Sequence, residues 1–392
     1  MLVKFTFKNY KSYLDEQTLS LEASGDGSRR DNVEKVSTAL LPQGGALLKS
    51  AAVFGTTASG KTNVLRALDY MKRVVLMSAG MVQIVRQNDP FAFQFESGSM
   101  DSHFDVEFIE NNTYYRYGFV IRGKEIVKEW LFRRSERLTP LFRRDEYTLQ
   151  VKGLSKNSAR LLSPSPFTLF ITAASSLNLE ISSEIQDVIR WFTRLMISFE
   201  PRREDLLCFE DKEEYIANSL EILKKAECGI SNMRLIHESS YIDMETSHTV
   251  FDRNGEALME KKIRIFQDRG LLSDGTVKLI CNLALIMKAL DSGAVLLIND
   301  FDSLINDFLS SHIISLFTGN VTNPKGAQLI VTSKLSPLID KIFRRDQIYF
   351  TTRDDLNQTH LMRLSSVPGV RKNESYEKKL LESTYLNQYK LV

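Results

Sequence analysis

The hydrophobic pattern at the start of the chain predicts a hairpin, then a buried strand and a helix. Residues 3–9 alternate apolar and polar side chains with the period of two that is typical of a strand, and residues 17–21 are its expected hairpin partner. Ala51–Phe54 is a short apolar run. The segment from Asn63 to about Ser78 then has apolar residues at the spacing of one helical face. We therefore expect residues 1–90 to form the first half of an α/β domain.

The pattern changes in the middle of the chain. Short β-rich runs separated by turns predict an antiparallel meander, with strands at Phe104–Ile109, Tyr114–Ile121, Ile126–Arg133 and Tyr147–Val151. Residues 160 to about 227 have mainly helical spacing. We expect an antiparallel β subdomain at 91–155 and an inserted helical subdomain at 156–230.

The α/β pattern returns in residues 231–392. A helix at 276–290 precedes a buried strand at Ala294–Ile298, and a helix near 304–317 precedes a strand at Gln328–Thr332. Strands that alternate with helices imply a mostly parallel sheet covered by helices. The predicted fold class is α/β.

Composition and charge exclude only a few classes of protein. The chain has 392 residues and a net charge of +2, which makes no overall case for nucleic acid or a membrane surface. Its three cysteines and five histidines show no spacing that is typical of a metal site or a disulfide framework. No apolar run is long enough to span a membrane, and the N-terminus does not resemble a signal peptide. We expect a soluble, cytoplasmic protein without a membrane partner.

The most specific motif lies between the buried strand and the first helix. Residues 55–62 read Gly-Thr-Thr-Ala-Ser-Gly-Lys-Thr, which satisfies G-x-x-x-x-G-K-[ST] with a strand before it and a helix after it. Glycine lets successive backbone N–H groups turn toward phosphates, and the helix directs its positive end at the same anion. Lys61 would contact the β- and γ-phosphates, and Thr62 would offer its hydroxyl to Mg²⁺. The motif predicts ATP and Mg²⁺ as cofactors, with these contact residues: Gly55, Thr56, Ala58, Ser59, Gly60, Lys61, Thr62 and Asn63.

Three further features follow in order. Leu272–Thr276 places Ser273 and Gly275 at the start of a helix, which is either a second anion site or an ordinary helix cap. The apolar strand before residue 299 leads into Asn299, Asp300 and, two residues later, Asp302. The last predicted strand ends beside Lys334.

This order resembles the ABC-type ATPase heads of the SMC and RecF group. The opening segment Phe5–Ser12 is similar to their N-terminal entry motif, and Arg345–Phe350 and the segment from Val370 onward are similar to the tail of compact bacterial AbiL-like relatives, which are associated with abortive infection and phage defence. The resemblance implies a P-loop NTPase with an antiparallel β subdomain and an inserted helical subdomain. It covers nearly the whole chain and is weakest over 130–260.

The resemblance also implies a dimer with shared sites. Ser273 and Gly275 of one subunit would contact the γ-phosphate bound at Lys61 of the other. Asp302 would lie at the dimer interface, and Lys11 would lie near the nucleotide. A glutamine would sense Mg²⁺, and the sequence leaves this role open among three candidates: Gln83, Gln87 and Gln94.

The chain departs from the family pattern where hydrolysis is catalysed. The family has Asp-Glu at the positions of Asn299 and Asp300, and histidine at the position of Lys334. One alignment keeps Asn299 and Asp300 as metal residues beside Thr62, with Asp300 and Lys334 as the catalytic pair. The other shifts by one residue, so that Asp300 holds the metal and Phe301 fills the catalytic position. A neutral amide holds the Mg²⁺ shell less well than a carboxylate, so both alignments predict slow or impaired hydrolysis.

These features support one leading hypothesis and two rivals. The leading hypothesis is an ATP-binding head that dimerises on ATP and acts as a sensor or scaffold in bacterial anti-phage defence. No nuclease-like acidic cluster follows residue 335, so the effector would be a separate protein, with a nuclease as one candidate. The first rival is an active ATPase clamp or motor that acts directly on DNA. The second is an interaction module that binds a nucleotide without cycling.

Overall fold

The computed structural model contains two compact units. One comprises the described residues of Met1–Leu195 and Lys334–Val392, and the other comprises those of Met196–Ser333. The described residues are 1–24, 32–36, 40–41, 45–134, 137–146, 148–162, 164–301, 307–334, 342–370 and 375–376. Asp302 lies outside them, as do most of the loop at Ser24–Asn32 and most of the tail from Val370 onward. The four segments predicted at 1–90, 91–155, 156–230 and 231–392 stay predictions.

The strands and helices have the following bounds. In chain order the strands are β1 (Leu2–Lys8), β2 (Gln17–Ser20), β3 (Val33–Val36), β4 (Gly45–Leu48), β5 (Ser50–Phe54), β6 (Asp101–Glu110), β7 (Thr113–Arg122), β8 (Glu125–Arg134), β9 (Leu138–Asp145), β10 (Thr148–Val151), β11 (Met196–Ser198), β12 (Asn232–His237), β13 (Ile242–Phe251), β14 (Ala257–Arg264), β15 (Val295–Ile298), β16 (Gln328–Ser333), β17 (Ile348–Arg353) and β18 (Thr359–Arg363). The α-helices are α1 (Lys61–Met77), α2 (Gln83–Arg86), α3 (Lys156–Leu161), α4 (Phe170–Ala174), α5 (Ser182–Arg194), α6 (Glu213–Lys225), α7 (Asp274–Ser292) and α8 (Asp307–Thr318).

A seven-stranded antiparallel sheet dominates the first unit, in the order β10-β9-β8-β7-β6-β1-β2. The predicted hairpin is confirmed, because Phe5 of β1 pairs with Leu19 of β2. Phe5 and Phe7 are fully buried while Thr6 between them is half-buried, so alternation along β1 gives the sheet one apolar face. The predicted meander is confirmed in β6, β7, β8 and β10.

The strand β9 was not predicted from the sequence. It pairs with β8 and β10, but its first three residues are exposed and it contains Pro140. Proline is unusual inside strands and is tolerated at bulges, and the β8–β9 register shifts between Leu131 and Phe132, where Phe132 pairs with Pro140. A bulge therefore accommodates a segment whose composition indicates a loop.

A smaller set of strands leads into the first long helix. The strand β5 is buried along its whole length, β17 runs parallel to it, and β18 is antiparallel to β17. The helix α1 follows β5 after a short loop, and its predicted apolar face is buried, at Val64, Leu68, Met71 and Val75. The predicted order of strand, loop and helix is therefore confirmed.

The second unit contains the other parallel strands. The strand β15 pairs in parallel with β11 and β16, and α7 and α8 accompany them. The predicted helix at 276–290, strand at Ala294–Ile298 and strand at Gln328–Thr332 are confirmed within two residues at each end. The strand β11 lies in the segment predicted as helical, where only three residues form a strand, too few to show a period. Parallel pairs with helices confirm the α/β prediction.

A three-stranded antiparallel sheet in the second unit, in the order β12-β13-β14, was also missed. The first six residues of β14 are all exposed, so the strand lacks the apolar alternation that predicts a half-buried strand. Backbone pairing with β13 defines β14, and no hydrophobic pattern marks it in the sequence.

Candidate functional site

The loop of residues 55–62 connects β5 to α1 with two glycines that are required for different reasons. Gly60 has a φ of +98°, a left-handed conformation, and a Cβ there would lie 2.6 Å from the Thr359 hydroxyl oxygen. At Gly55 the constraint is space, because a Cβ would lie 2.4 Å from the Thr351 hydroxyl oxygen. Ala58 is also left-handed, with a φ of 63°. The loop therefore has the compact, turned backbone that its motif predicts.

Side chains from the same unit hold this loop in place. The hydroxyl oxygens of Ser59 and Thr351 are 2.6 Å apart and buried. Tyr13 donates its hydroxyl to the Gly60 carbonyl at 3.2 Å. The Asn63 amide donates to the Ser12 hydroxyl at 2.9 Å, so the Asn63 side chain is used to join α1 to the segment after β1. Sequence reasoning did not assign roles to Ser12, Tyr13 or Thr351, although the first two directly follow the predicted Lys11.

The start of α1 carries groups that are suited to an anion. Its cap residue Gly60 has no side chain to bond the first N–H groups of the helix, and residues 56–58 are exposed. The Lys61 ammonium donates to the Gly55 and Thr56 carbonyls at 2.7 Å each and is 6% exposed, so a positive charge is held against the loop. Thr62 is half-buried in the first turn. Backbone N–H groups, a lysine and a threonine hydroxyl fit the phosphates of a nucleotide and its Mg²⁺.

Lys11 occupies another contact, and of the candidate glutamines Gln87 accepts a hydrogen bond from Arg73 at 3.0 Å. The Lys11 ammonium lies 2.6 Å from the Asp89 carboxylate, and its backbone N–H donates to the Asp89 carbonyl at 2.6 Å. Gln83, Gln87 and Gln94 are all exposed. The three glutamines therefore remain alternatives for the Mg²⁺-sensing role.

In the second unit, the predicted signature residues begin α7. Ser273 is the cap residue, and its hydroxyl accepts the Thr276 N–H at 3.1 Å. Ser273 is exposed and Gly275 is half-buried in the first turn. The helix begins two residues earlier than predicted because Ser273 caps it. The cap does not use all of the N–H groups of this turn, so the helix end keeps its positive partial charge.

The strand end after β15 is organised by Thr332 of β16. The Asp300 N–H donates to the Thr332 hydroxyl at 2.9 Å, so the hydroxyl hydrogen is available to the Asn299 amide oxygen, 2.9 Å away. This fixes the amide, whose nitrogen donates to the Asp300 carboxylate at 2.9 Å. Asn299 is 5% exposed, whereas Asp300 is half-buried with a φ of 48°. The amide nitrogen of Asn299 thus faces the carboxylate that the sequence proposed for the metal.

Lys278 supports the same strand end from α7. It is 8% exposed, and its ammonium donates to the Asn299 carbonyl at 3.1 Å and the Asp300 carbonyl at 3.5 Å. A lysine within an apolar helix is the sequence signal that could have predicted this role for Lys278. Thr332 had a similar signal, as a polar residue at the end of an apolar strand. Lys334 follows β16 and is exposed.

The structure groups the predicted residues in two sets. The phosphate-loop residues lie together in the first unit, whereas Asn299 and Asp300 lie together in the second. Over the described ranges, no group of three or more His, Cys, Asp or Glu side chains could hold a metal ion. The same ranges contain no helix whose length and apolar character would let it cross a membrane.

The loop after β5, the buried lysine and the open start of α1 define a P-loop nucleotide-binding protein of the α/β class. A comparison with protein families matches residues 50–334 to the family described as "AAA domain, putative AbiEii toxin, Type IV TA system". The match covers more than half of the chain, and the protein belongs to this family. Its members are P-loop ATPases that generally use ATP with Mg²⁺. No curated protein matches the chain.

Proposed function

We propose that the protein binds ATP with Mg²⁺ at residues 55–62, dimerises on ATP and hydrolyses it slowly. The dimer acts as a sensor or scaffold in a bacterial defence system with a separate effector. The observation that carries ATP binding is the loop itself, where Lys61, the left-handed Gly60 and the open start of α1 converge. Backbone N–H groups at a helix start are a general phosphate site, and lysine adds the charge for the terminal phosphates.

Slow hydrolysis is supported by the strand end after β15. The only carboxylate in the Asn299–Asp300 pair accepts a hydrogen bond from the Asn299 amide nitrogen. A donor nitrogen beside the carboxylate disfavours a cation there, because metal ions bind through oxygen lone pairs. Asp300 would polarise the attacking water or hold the metal shell, and Lys334 would neutralise phosphate charge. The resemblance implies the longer glutamate at the position of Asp300 and a histidine at the position of Lys334.

Dimerisation through composite sites is supported by the exposed start of α7. Ser273 is exposed beside the positive end of this helix, where a phosphate from a second subunit could bind. In this proposal Ser273 and Gly275 complete the site at the partner's phosphate loop, and Asp302 contacts the partner. Lys11 would approach the nucleotide after release from Asp89.

The biological setting is proposed from the family description, which names a type IV toxin–antitoxin system. Such systems have two components, so a second protein as antitoxin or effector is expected. A nuclease effector, DNA contact and AbiL-like membership belong to this proposal, as does a cytoplasmic location. The described residues contribute no group of acids that would form a nuclease metal site.

The test combines ATP binding, mass in solution and ATP turnover. Wild type is compared with Lys61→Ala and with Arg66→Ala, an exposed position on the same helix that serves as the matched control. We expect ATP-Mg²⁺ to double the mass of wild type and of Arg66→Ala but not of Lys61→Ala. Turnover should stay well below about 1 s⁻¹, a common enzyme rate.

Two outcomes would change the proposal. ATP binding that survives Lys61→Ala would exclude the loop as the nucleotide site. Turnover above about 1 s⁻¹ that depends on Lys61 and rises with DNA would favour the DNA clamp or motor instead.

A further inference from the structure

A groove lies between α6 and β12 in the second unit. Its volume is about 490 Å³, and none of the residues predicted to contact the nucleotide lines it. One wall is the side of α6 that carries Ile216, Ala217 and Leu220, and the other is β12. The groove is therefore a feature separate from the proposed nucleotide chemistry.

The strand wall of the groove is a free sheet edge. In the part of the chain that the structure describes, β12 pairs only with β13. Where β12 and β13 meet at their turn, the Glu238 N–H donates to the Tyr241 carbonyl at 2.9 Å, so Glu238 and Tyr241 form a hydrogen-bonded pair. Two residues back along β12, Ile236 forms the next hydrogen-bonded pair, with Asp243. Bonded and non-bonded pairs alternate in an antiparallel ladder. The backbone groups of Leu235 and His237 consequently point away from β13, toward the groove.

The helix wall is apolar at the spacing of one turn. Ile216 and Leu220 are four residues apart, both are half-buried, and both line the groove. Ala217 beside them is exposed, and its small side chain leaves room between helix and strand. A strand edge opposite an apolar helix face can hold an extended chain, whose backbone pairs with the strand while alternate side chains contact the helix.

Charge distinguishes one end of the groove. Only residues 226–231 separate α6 from β12, so the start of α6 lies opposite the end of β12. Asp211 and Glu213 line this end, both are exposed, and neither forms an ion pair with another described residue. Lys212 between them is directed to Asp291, 3.6 Å away. This end therefore favours a cationic group.

We propose that this groove binds an extended peptide segment of a partner protein by strand addition to β12. The segment carries an apolar side chain that packs on Ile216 and Leu220, and a lysine or arginine that contacts Asp211 and Glu213. The outward N–H and C=O groups of Leu235 select a peptide backbone. Asp211 and Glu213 disfavour the phosphates of nucleic acid at their end of the groove, and the lining Arg234 is already paired with Glu245 at 3.1 Å. This inference goes beyond the proposed function, since it does not require ATP.

A displayed library of ten-residue linear peptides tests the proposal, selected on the full-length wild-type protein. Selected peptides are then labelled and titrated by fluorescence anisotropy. We expect alternating apolar positions and a basic residue among the binders. Binding should weaken at least about tenfold in Leu220→Asp and in Glu213→Lys, and remain unchanged in Glu214→Lys, the matched control. Glu214 is exposed in the same helical turn and does not line the groove. Thermal unfolding of each variant confirms that it is folded.

Hydrogen exchange supplies a second readout. The amides of Leu235 and His237 should exchange rapidly in the free protein and slow at least about tenfold in the peptide complex, because strand addition gives them hydrogen-bond acceptors. A library that yields no binder, or binders that are insensitive to Leu220→Asp, would overturn the proposal. A wild-type dimer without ATP that Leu220→Asp converts to a monomer would show that a second copy of the chain occupies the groove.

Discussion

At the scale of single residues, the strand end after β15 shows how one hydroxyl fixes the chemistry of two neighbours. Thr332 accepts the Asp300 N–H and is available as a donor to the Asn299 amide oxygen, which leaves the amide nitrogen to bond the Asp300 carboxylate. An aspartate at 299 would place a carboxylate oxygen where that nitrogen now lies. This conformation therefore needs an amide nitrogen at residue 299 as the donor to Asp300. An amide where the resemblance implies a metal-binding carboxylate supports the proposal of slow hydrolysis.

The substitution Asn299→Asp tests this pairing. The hydrogen bond of 2.9 Å between residues 299 and 300 would be lost, and two carboxylate oxygens would face each other in its place. The free energy of unfolding without Mg²⁺ should therefore fall by about 1–3 kcal/mol. In the proposed function this pair holds the Mg²⁺ of ATP, so Mg²⁺ with ATP should recover much of the loss, and turnover should rise about tenfold. Urea unfolding with and without Mg²⁺-ATP, together with phosphate release, measures both effects.

The control is Asn218→Asp, an exposed amide-to-acid change on α6. It should leave both quantities unchanged. An Asn299→Asp variant as stable as wild type without Mg²⁺ would contradict the hydrogen-bond assignment.

The phosphate loop gives a second residue-scale prediction, Gly60→Ala. A side chain at a φ of +98° is strained, and the added Cβ would meet the Thr359 side chain at 2.6 Å. We expect a loss of about 1–3 kcal/mol in unfolding free energy and at least about tenfold weaker ATP binding, measured by calorimetry.

Gly80→Ala is the matched control, because the nearest atom to its Cβ would be the Met77 carbonyl oxygen at 4.0 Å. Unchanged ATP affinity in Gly60→Ala would contradict the prediction, because it would show that ATP binding does not depend on the left-handed conformation of residue 60.

At the scale of elements, a buried carboxylate joins the meander to a short helix. Glu129 of β8 is 1% exposed and accepts the N–H groups of Phe170 and Ile171, at 2.6 and 3.0 Å, at the start of α4. Tyr117 of β7 donates its hydroxyl to the same carboxylate at 3.1 Å. Burial raises the pKa of Glu129 to about 7, and the hydrogen bonds from the α4 N–H groups oppose this rise.

This pKa predicts how stability depends on pH. The folded state holds the proton more tightly than the unfolded state, whose glutamate has a pKa of about 4.3. Stability therefore falls as pH rises from about 4.3 to about 7 and changes little above that, with a total contribution on the order of 4 kcal/mol. Urea unfolding measured from pH 4.5 to pH 8 gives the slope.

Glu129→Gln should flatten this slope, whereas Glu125→Gln, at the exposed start of β8, should preserve it. A wild-type protein that becomes more stable over the same pH range, by an amount that Glu129→Gln removes, would contradict the sign of the shift.

At the scale of the whole molecule, a buried ion pair links distant parts of the chain within the first unit. The Arg344 guanidinium donates twice to Asp346, at 2.9 and 2.7 Å, and both side chains are almost fully buried. Ser24 also donates its backbone N–H to the Asp346 carboxylate at 2.7 Å. Asp346, within the segment Arg345–Phe350, thus connects the chain before β3 to the segment before β17.

Asp346→Ala should destabilise the protein by about 3–5 kcal/mol, because it leaves the buried Arg344 charge without this partner. Glu221→Ala, which breaks the exposed contact with Lys224 at 2.9 Å, should have an effect within about 1 kcal/mol. Thermal and urea unfolding measure both variants. An equal loss of unfolding free energy in the two variants would show that burial of the Arg344–Asp346 pair does not increase its contribution to stability.

The sequence by itself determined the local features of this protein. The phosphate loop, the strand β5 and the helix α1 follow from a motif and from periods that lie within about twenty residues, where apolar spacing alone decides which face is buried. The hairpin of β1 with β2 and most of the meander follow from alternation in the same way. The P-loop ATPase class follows from the phosphate-loop motif in its strand–loop–helix setting, and the family match over residues 50–334 supports this class.

Only the tertiary structure decided what depends on distant partners. The pairing of Thr332 with Asn299 and Asp300, and of Tyr13 with Gly60, joins residues that no local pattern connects. The strands β9 and β14 also required the fold, since their neighbours supply backbone hydrogen bonds to segments that lack apolar alternation. Local periods report burial of side chains, whereas hydrogen-bond partners and edge strands are set by packing, and packing exists only in the folded chain.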